Sequence, residues 1–501
     1  MWGHMIQTIW VWKCAGGGDG MSRWVTKSSR AVSLRGNSLW VLLALSGCVV
    51  GPDYKPPSLD LKPIANPQAV PENASSPAPL DSWWQGFHDP ELDRIVARVR
   101  EQNLDLAAAM ARVTQAQAAE QAAGAKRLPS GELGLQADAE HQSLRSPIGG
   151  LASRVPGYQR DEVLYDEGIG ASWEMDLFGG LRRGEQAASA EAQAAQSNHI
   201  GTRVMVTADA VDAYVRIRGD QERLRLAQQQ VQVDNHLLSL IRQRNQFGAS
   251  SDREVDQAQA LVQQAKATLP PLQIDLQAQL DRLDVLMGAQ PGTYAAELQT
   301  PAPIPTLPLV DTSVQPQQLL RQRPDVVAAE RHLAAANARI GIAISDYYPH
   351  ISLGALLGFE SLGSNDLISA ASFQPQLIAG LHWRLFDFGR VDAEVNDAKG
   401  SYAEALALYR QTALRATEEV EDAITAEGQY ARQSVDLDAE VVSLRRANAS
   451  SERAYAAGSI SLTDVLDTEK QLLAAQDDAV SARVNGLRAT IFFYRAIGGG
   501  R

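Results

Sequence analysis

Between Leu181 and Phe247 the chain runs for 67 residues without a proline. A helix through all of them would be roughly 100 Å long at 1.5 Å per residue. Its apolar residues form two seams. Ile217, Leu224, Val231 and Leu238 recur every seven residues, and so do Leu226, Val233, Leu240 and Phe247. The two series are offset by nine residues, which is about 180° to 200° around a helix. A two-stranded coiled coil needs one seam. Two opposite seams give each helix a neighbour on either side and suit a ring or wall of helices. A helix buried within a bundle would be apolar all round, whereas Arg216, Arg218, Arg223, Arg225, Gln228, Gln229 and Gln232 fill much of the remainder.

The body is duplicated. At an offset of 220, Asp105 matches Asp325, Ala108 matches Ala328, Pro129 matches Pro349 and Gly134 matches Gly354. At an offset of 210, Trp173, Phe178, Gly179 and Gly248 match Trp383, Phe388, Gly389 and Gly458, and Val255 and Gly288 match Val465 and Gly498. Repeat 1 is expected over 81–300 and repeat 2 over 301–501, joined by a Pro-rich seam from Pro291 to Pro316. Each half reads as helix, two strands, a very long helix, a sharp turn and a returning helix. The strands are expected near 131–141 and 167–178, and near 350–361 and 376–387. Apolar residues alternate with polar ones there, as in Leu133, Leu135, Ala137 and Ala139, or Ile169, Ala171 and Trp173. Such alternation suits a strand with one face to lipid and one to water. It suits an ordinary half-buried antiparallel sheet at least as well. Four strands cannot close a barrel, and lipid tolerates no open edge. Membrane strands would therefore require several chains sharing one barrel: two copies give eight strands and three give twelve.

The tip turns are expected near 248 and 458. In Gly458-Ser459-Ile460-Ser461-Leu462-Thr463-Asp464-Val465-Leu466-Asp467, Gly458 permits a left-handed helix exit. Ser461 with Asp464 reads as a capping box. Asp464 and Asp467 share one helix face. The counterpart is Gly248-Ala249-Ser250-Ser251-Asp252-Arg253-Glu254-Val255. Capping accounts for Asp252 and Asp464; it does not account for Asp467, deeper in the helix.

The N-terminus reads as a targeting segment. Arg23, Lys27, Arg30 and Arg35 precede the apolar run Leu39 to Leu45, which ends in Leu45-Ser46-Gly47-Cys48, a lipobox. Residues 21–47 are read as a lipoprotein signal peptide and residues 1–20 as a mis-assigned start, with synthesis beginning at Met21. Cys48 would carry diacylglycerol and palmitate. Residues 48–80 follow as a lipidated linker, with eight prolines between Val49 and Leu80. Proline fixes φ and removes donors, so an extended segment is expected that lets the body stand away from the anchored cysteine.

Composition excludes several classes. Cys14 and Cys48 are the two cysteines, too few for a disulfide framework or a four-cysteine metal site. A net charge of −13 gives no electrostatic footprint for nucleic acid. The eight histidines are scattered, without a His-Glu-x-x-His pair, and no Gly-x-Ser-x-Gly elbow or phosphate loop occurs. Acid pairs such as Glu418-Glu419 and Glu421-Asp422 read as solvated helix surface. No enzyme chemistry and no cofactor beyond the lipid on Cys48 is expected.

Several motifs then add a resemblance. Gly51-Pro52-Asp53-Tyr54 follows the lipobox, and Trp83-Trp84 comes with Phe87, Asp89-Pro90 and Leu92. Next are Asn103-Leu104-Asp105-Leu106 with Ala111-Arg112, and Leu286-Met287-Gly288 with Pro291-Gly292. Leu319-Leu320 with Arg323-Pro324-Asp325-Val326 opens the second half, Leu385-Phe386-Asp387-Phe388-Gly389-Arg390 leaves its strands, and Asp464-Val465-Leu466-Asp467 closes the tip turn. From Cys48 to Gly500 the chain resembles the outer membrane factor family, the TolC- and OprM-type efflux ducts, and especially their NodT-like lipoprotein branch.

The resemblance implies a mixed α and β membrane protein. A homotrimer would share one 12-stranded outer membrane β-barrel, with four strands per protomer, continued by a long periplasmic α-helical barrel. Pro270-Pro271 would mark a helix break near the equator. It implies a periplasmic gate at Asp464 and Asp467, with Tyr455 and Glu254 placed to link helices at the tip turns Gly248 and Gly458. Ile460 stands where some members carry a basic residue for a second link, which implies a gate held less tightly, or differently, there. The implied function is a passive duct for drugs or other toxic small molecules, working with a periplasmic adaptor and an inner membrane pump of the RND type. Val49 after the lipidated cysteine implies retention in the outer membrane, in contact with its lipid. Two rivals remain: the same fold serving type I protein secretion, and a structural lipoprotein without a pore.

Overall fold

The computed structural model describes residues 49–63, 79–306, 308 and 322–501. The expected false start at 1–20, the leader at 21–47, Cys48, residues 64–78 of the proline-rich linker, and Leu319-Leu320 lie outside the described residues. The first half contains α1 (Pro90–Gln102), α2 (Leu104–Ala125), β1 (Ser130–His141), the short α3 (Pro147–Ala152), β2 (Asp161–Met175), α4 (Gly180–Gln246), α5 (Asp252–Ala267) and α6 (Leu269–Leu286). The second contains α7 (Pro324–Ser345), β3 (His350–Ser361), β4 (Phe373–His382), α8 (Arg390–Ala456) and α9 (Leu462–Ala496).

The duplication reaches individual residues. Helices α2 and α7 have 22 residues each and begin 220 positions apart. Helices α4 and α8 have 67 each and begin 210 apart. The offset changes across the strand hairpins, whose loops cover 142–160 in the first half and 362–372 in the second. In both halves a tryptophan indole at or just past the end of the second strand donates to the turn that leads from the preceding helix into the first strand. Trp173 Nε1 donates to the Arg127 carbonyl at 2.9 Å, and Trp383 Nε1 to that of Tyr347 at 3.0 Å.

The second strand of each half departs from the expected bounds. β2 starts at Asp161, because Ala139 and Glu140 of β1 pair there with Val163 and Glu162 although Asp166, Glu167 and Gly168 interrupt the apolar pattern. It stops at Met175, because Asp176 turns to cap α4, accepting from the N–H groups of Leu181 and Arg182. β4 starts at Phe373, paired with Phe359, and stops at His382. Asp387 then accepts from the N–H groups of Gly389 and Val391 at the start of α8. A carboxylate at a helix N-terminus satisfies donors that the helix itself leaves open.

The four strands form one antiparallel sheet in the order β1-β2-β3-β4. Residues opposite each other across an antiparallel pair share a face. The register therefore collects Leu133, Leu135, Ile169, Leu357, Leu377 and Leu381 on one face and Glu132, Asp138, Glu174, Ser352 and Gln376 on the other. The apolar face is bare: Leu135 is 72% exposed and Leu377 84%. In mid-strand, Glu167 is the one charged side chain on it, between Leu135 and Phe359.

The main core lies where the halves meet at mid-length. Trp83 stacks on Tyr494 with ring centroids 4.9 Å apart, and Phe87, Tyr214, Leu283 and Phe493 pack around them. Asp89 caps α1 and accepts from the Tyr214 hydroxyl at 2.6 Å. Arg218 is buried, so its charge requires partners. It finds Glu91, Gln221 and the Thr300 carbonyl. Asn103 caps α2 and donates to the Leu286 carbonyl at 2.9 Å, tying the α1–α2 corner to the end of α6.

The segment after Val49 does not stand away from the body. The Val50 N–H donates to the Phe178 carbonyl at 3.0 Å. Buried Arg183 donates to the carbonyls of Val50 and Gly51 and to Asp53. Asn337 donates to the Pro52 carbonyl, and the Tyr54 hydroxyl donates to Glu330 at 2.5 Å. Gly51, at φ +89°, lies so near that a Cβ would come within 2.5 Å of the Gly341 Cα. Proline removed donors from this segment but left carbonyls, and Arg183 and Asn337 collect them.

Candidate gate at the helical tips

The far ends of the long helices are built alike. Gly248 (φ +72°) ends α4 and Gly458 (φ +76°) ends α8, a region open to glycine without a Cβ penalty. The N–H of Ala249 reaches back to the Arg244 carbonyl and that of Ser459 to the Ala454 carbonyl, at 2.8 and 2.9 Å. These bonds satisfy carbonyls that the last turn leaves open. The returning helices then open with full capping boxes, Ser251 with Glu254 and Ser461 with Asp464. A small apolar core fastens the tips together: Leu238 and Ile241 of α4, Ala258 and Val262 of α5, and Leu462 of α9, with Tyr455 and Leu466 packed against it.

Glu254 and Asp464 are thus equivalents in the two repeats, and both are engaged in capping. Hydrogen bonds from Ser250 and Ser251 hold the Glu254 carboxyl below the usual range. Hydrogen bonds from the Ser461 hydroxyl and N–H do the same for Asp464. Asp467 is exposed one turn further on and accepts from Gln471 Nε2 at 2.9 Å. The Tyr455 hydroxyl is buried without a hydrogen-bond partner among the described residues, and burial raises its pKa. The Arg244 guanidinium lies 4.9 Å from the centre of the Tyr455 ring, and its charge also acts on Glu254. Arg244 therefore joins Tyr455 and Glu254 in one electrostatic group. The sequence reading passed over it, although it stands in the last turn of α4, where a cation is favoured.

A second arrangement was also missed. Asp234 of α4 and Glu469 of α9 are buried side by side, 1% and 5% exposed. Gln230 Nε2 donates to both, at 2.7 Å each. The available signal was position: Asp234 falls three residues after Val231 and four before Leu238, on an apolar seam.

Among the described residues no group of three or more His, Cys, Asp or Glu side chains is placed to hold a metal. No described helix is long and apolar enough to cross a membrane. The chemistry offered at the tips is charge, hydrogen bonding and packing between helices.

The outer membrane efflux protein family matches residues 95–289 and 315–499, both halves of the chain. The chain belongs to this family. Among its relatives, the pyoverdine export outer membrane protein OpmQ of Pseudomonas putida is 32% identical, covering 89% of this chain and 93% of that protein. Nodulation protein T of Rhizobium leguminosarum bv. viciae is 28% identical over 88% of each. The solved outer membrane channel OprN superposes with a TM-score of 0.79 at 30% identity, over 90% of this chain and 99% of that one. The Campylobacter jejuni CmeC channel superposes with a TM-score of 0.83 at 21% identity, a likeness of fold. This efflux protein has the fold of the outer membrane channels and is the outer membrane channel component of an efflux system. Its family is one of transport proteins.

Proposed function

We propose that this efflux protein assembles as a homotrimer and acts as a passive duct without chemistry of its own. The observation that carries the reading is the sheet: four strands, an apolar face bare to solvent, and two open edges, β1 and β4. An isolated sheet of this kind cannot rest in lipid, because its edge N–H and C=O groups would go unpaired. Three copies joined β4 to β1 close twelve strands and leave no edge. The long helices continue that barrel into the periplasm. Relatives named for export of pyoverdine, toluene and solvents favour small-molecule cargo over protein secretion. An RND-type pump supplies the energy, and a periplasmic adaptor docks on the tips and holds the dilated form by binding it better. Lipid on Cys48 anchors the chain in the outer membrane.

The gate is the set of tip carboxylates. Asp464 and Asp467 from each copy ring the entrance, and Tyr455 and Glu254, with Arg244, link neighbouring helices. Close like charges repel and attract cations. The test is single-channel conductance of the detergent-purified protein beside its oligomeric mass. A trimer with small, cation-selective currents is expected. A monomer without current would overturn the duct in favour of a structural lipoprotein. Cys48→Ser should abolish lipid labelling, and persistent labelling would remove the anchor.

A further inference from the structure

Two hairpins meet at the tip, α4 with α5 and α8 with α9, and α9 lies along α4. At this seam the expected contact is apolar, as it is at Leu238 and Leu462. Yet Asp234 and Glu469 stand there together, both nearly inaccessible to water. Two carboxylates this close and this dry cannot both ionise. One Asp234 carboxylate oxygen takes the Gln230 amide. Among the described residues, no other side chain donates to its second oxygen, which a proton on Glu469 can reach. The amide of Gln230 also accounts for one Glu469 oxygen. The satisfied state of the cluster is therefore singly protonated, with a carboxylic acid bonded to a carboxylate across the two hairpins.

We infer that Asp234 and Glu469 form a proton-dependent latch between the hairpins, closed while they share a proton and released when both are ionised. The inference rests on the proposed gate, whose opening would part these hairpins.

The surroundings favour this reading. Glu452 of α8 faces Glu469 and disfavours a second negative charge. On α9, Lys470 borders the same cavity of about 610 Å³ as Asp234, and among the described residues the other charges lining it are Arg223 of α4, Asp275 of α6 and Asp477 of α9. Arg223 is occupied by Asp477, with bonds of 2.6 and 2.9 Å. The cavity residues from α5 include Leu261 and Gln264 and carry no charge. Burial raises Asp234 and pushes Glu469 up to about 7, from an ordinary value of 4.5. A raised carboxyl binds its proton more tightly in the closed contact than when parted. The latch is thus strongest below pH 4.5 and is lost as pH rises through about 7.

The experiment uses the full-length purified protein at pH 6 and pH 8. Opening frequency in bilayers should rise with pH, by up to about tenfold per unit between about 4.5 and 7 for one released proton, and level off above 7. Glu469→Gln keeps the shape and a neutral donor, so it should flatten that rise and remove one protonated-carboxyl band from the infrared spectrum at pH 6. Asp234→Asn provides the second variant should the first assemble poorly. Protection factors for the amides of α4 and α9 beside the pair, corrected for the base-catalysed intrinsic rate, should fall at pH 8 in the parent and not in Glu469→Gln. An unchanged infrared spectrum, or a pH dependence that survives both variants, overturns the latch. The gate reading fails separately. If Asp464→Ala with Asp467→Ala leaves conductance unaltered while exchange still follows the Glu469 proton, the contact stands and the gate does not.

Discussion

The first-half hairpin returns through a broken leg and the second through a straight one. Residues 252–286 fold as α5 and α6 with an interruption at Thr268, whereas 462–496 run unbroken as α9, 35 residues in either case. Pro270 and Pro271 stand where the second half has Val480 and Ser481. A similar contrast occurs at the strand–helix junctions. The first, at Phe178, is covered by the segment from Val50 to Tyr54 and by Tyr348, whose ring stacks on Phe178 at 4.5 Å. At the second, Leu385, Phe386 and Phe388 are exposed. Arg183, which fastens the segment, has Ala393 as its equivalent. Backbone devices such as caps, turns and the indole ties survived duplication, because each half must make the same elements. Side chains diverged where the halves have different neighbours.

The sheet gives the largest test of that contrast, since here the halves should behave alike. Leu135 and Ala355 are equivalents on the apolar face. Arginine at either should cost about 2–4 kcal/mol in a lipid-facing position. The yield of assembled oligomer from Leu135→Arg and Ala355→Arg should fall together, while Gln136→Arg on the opposite face assembles. Normal oligomer from the first two would make the sheet a soluble one.

The junction should separate the halves. Arg183→Ala removes a buried donor set from the carbonyls of Val50 and Gly51 and should cost about 1–3 kcal/mol. Ala393→Arg, at an exposed site, should stay within about 0.5 kcal/mol. Thermal unfolding of the purified variants reads both, and equal shifts would remove the N-terminal segment from the account.

At the tips, Asp464→Ala with Asp467→Ala should raise single-channel conductance and weaken block by multivalent cations. Glu254→Ala, its first-half counterpart at the cap, should disturb the link near Arg244 and raise conductance less. An effect larger for Glu254 than for the aspartates would move the constriction to the first-half turn.

Much of this architecture was legible. The 67-residue helices, the offsets and the tip glycines follow from periodicity and from the narrow chemistry of glycine and proline. Strand ends were less legible, because backbone pairing continues past Glu167 once β1 supplies a partner, and because Asp176 and Asp387 trade strand for helix cap. The path of Val50 to Tyr54 was not legible, since carbonyl acceptors are present in every residue and only the fold brings Arg183 to them. Arg244, Asp234 and Glu469 were obscured for a related reason. A charge on a helix is ordinarily solvated, and only the packing of α9 on α4 makes these exceptional.

The smallest expected effect decides how far capping and gating are separable. Ser251→Ala and Ser461→Ala each remove one capping box, at about 1 kcal/mol. Hydrogen exchange in the first turns of α5 and α9 should quicken by similar factors, because the two caps have the same geometry. Conductance should respond differently. Ser461→Ala removes the hydroxyl that donates to the Asp464 carboxylate and leaves it the backbone N–H of residue 461 alone, so the carboxylate is freer to lean toward the entrance or away from it. Ser251 orients Glu254, which lies beside Arg244 rather than beside Asp467. A change of cation block in Ser461→Ala alone would place the working carboxylate in the second half, whereas the same change in both variants would make the ring a property of the two turns together.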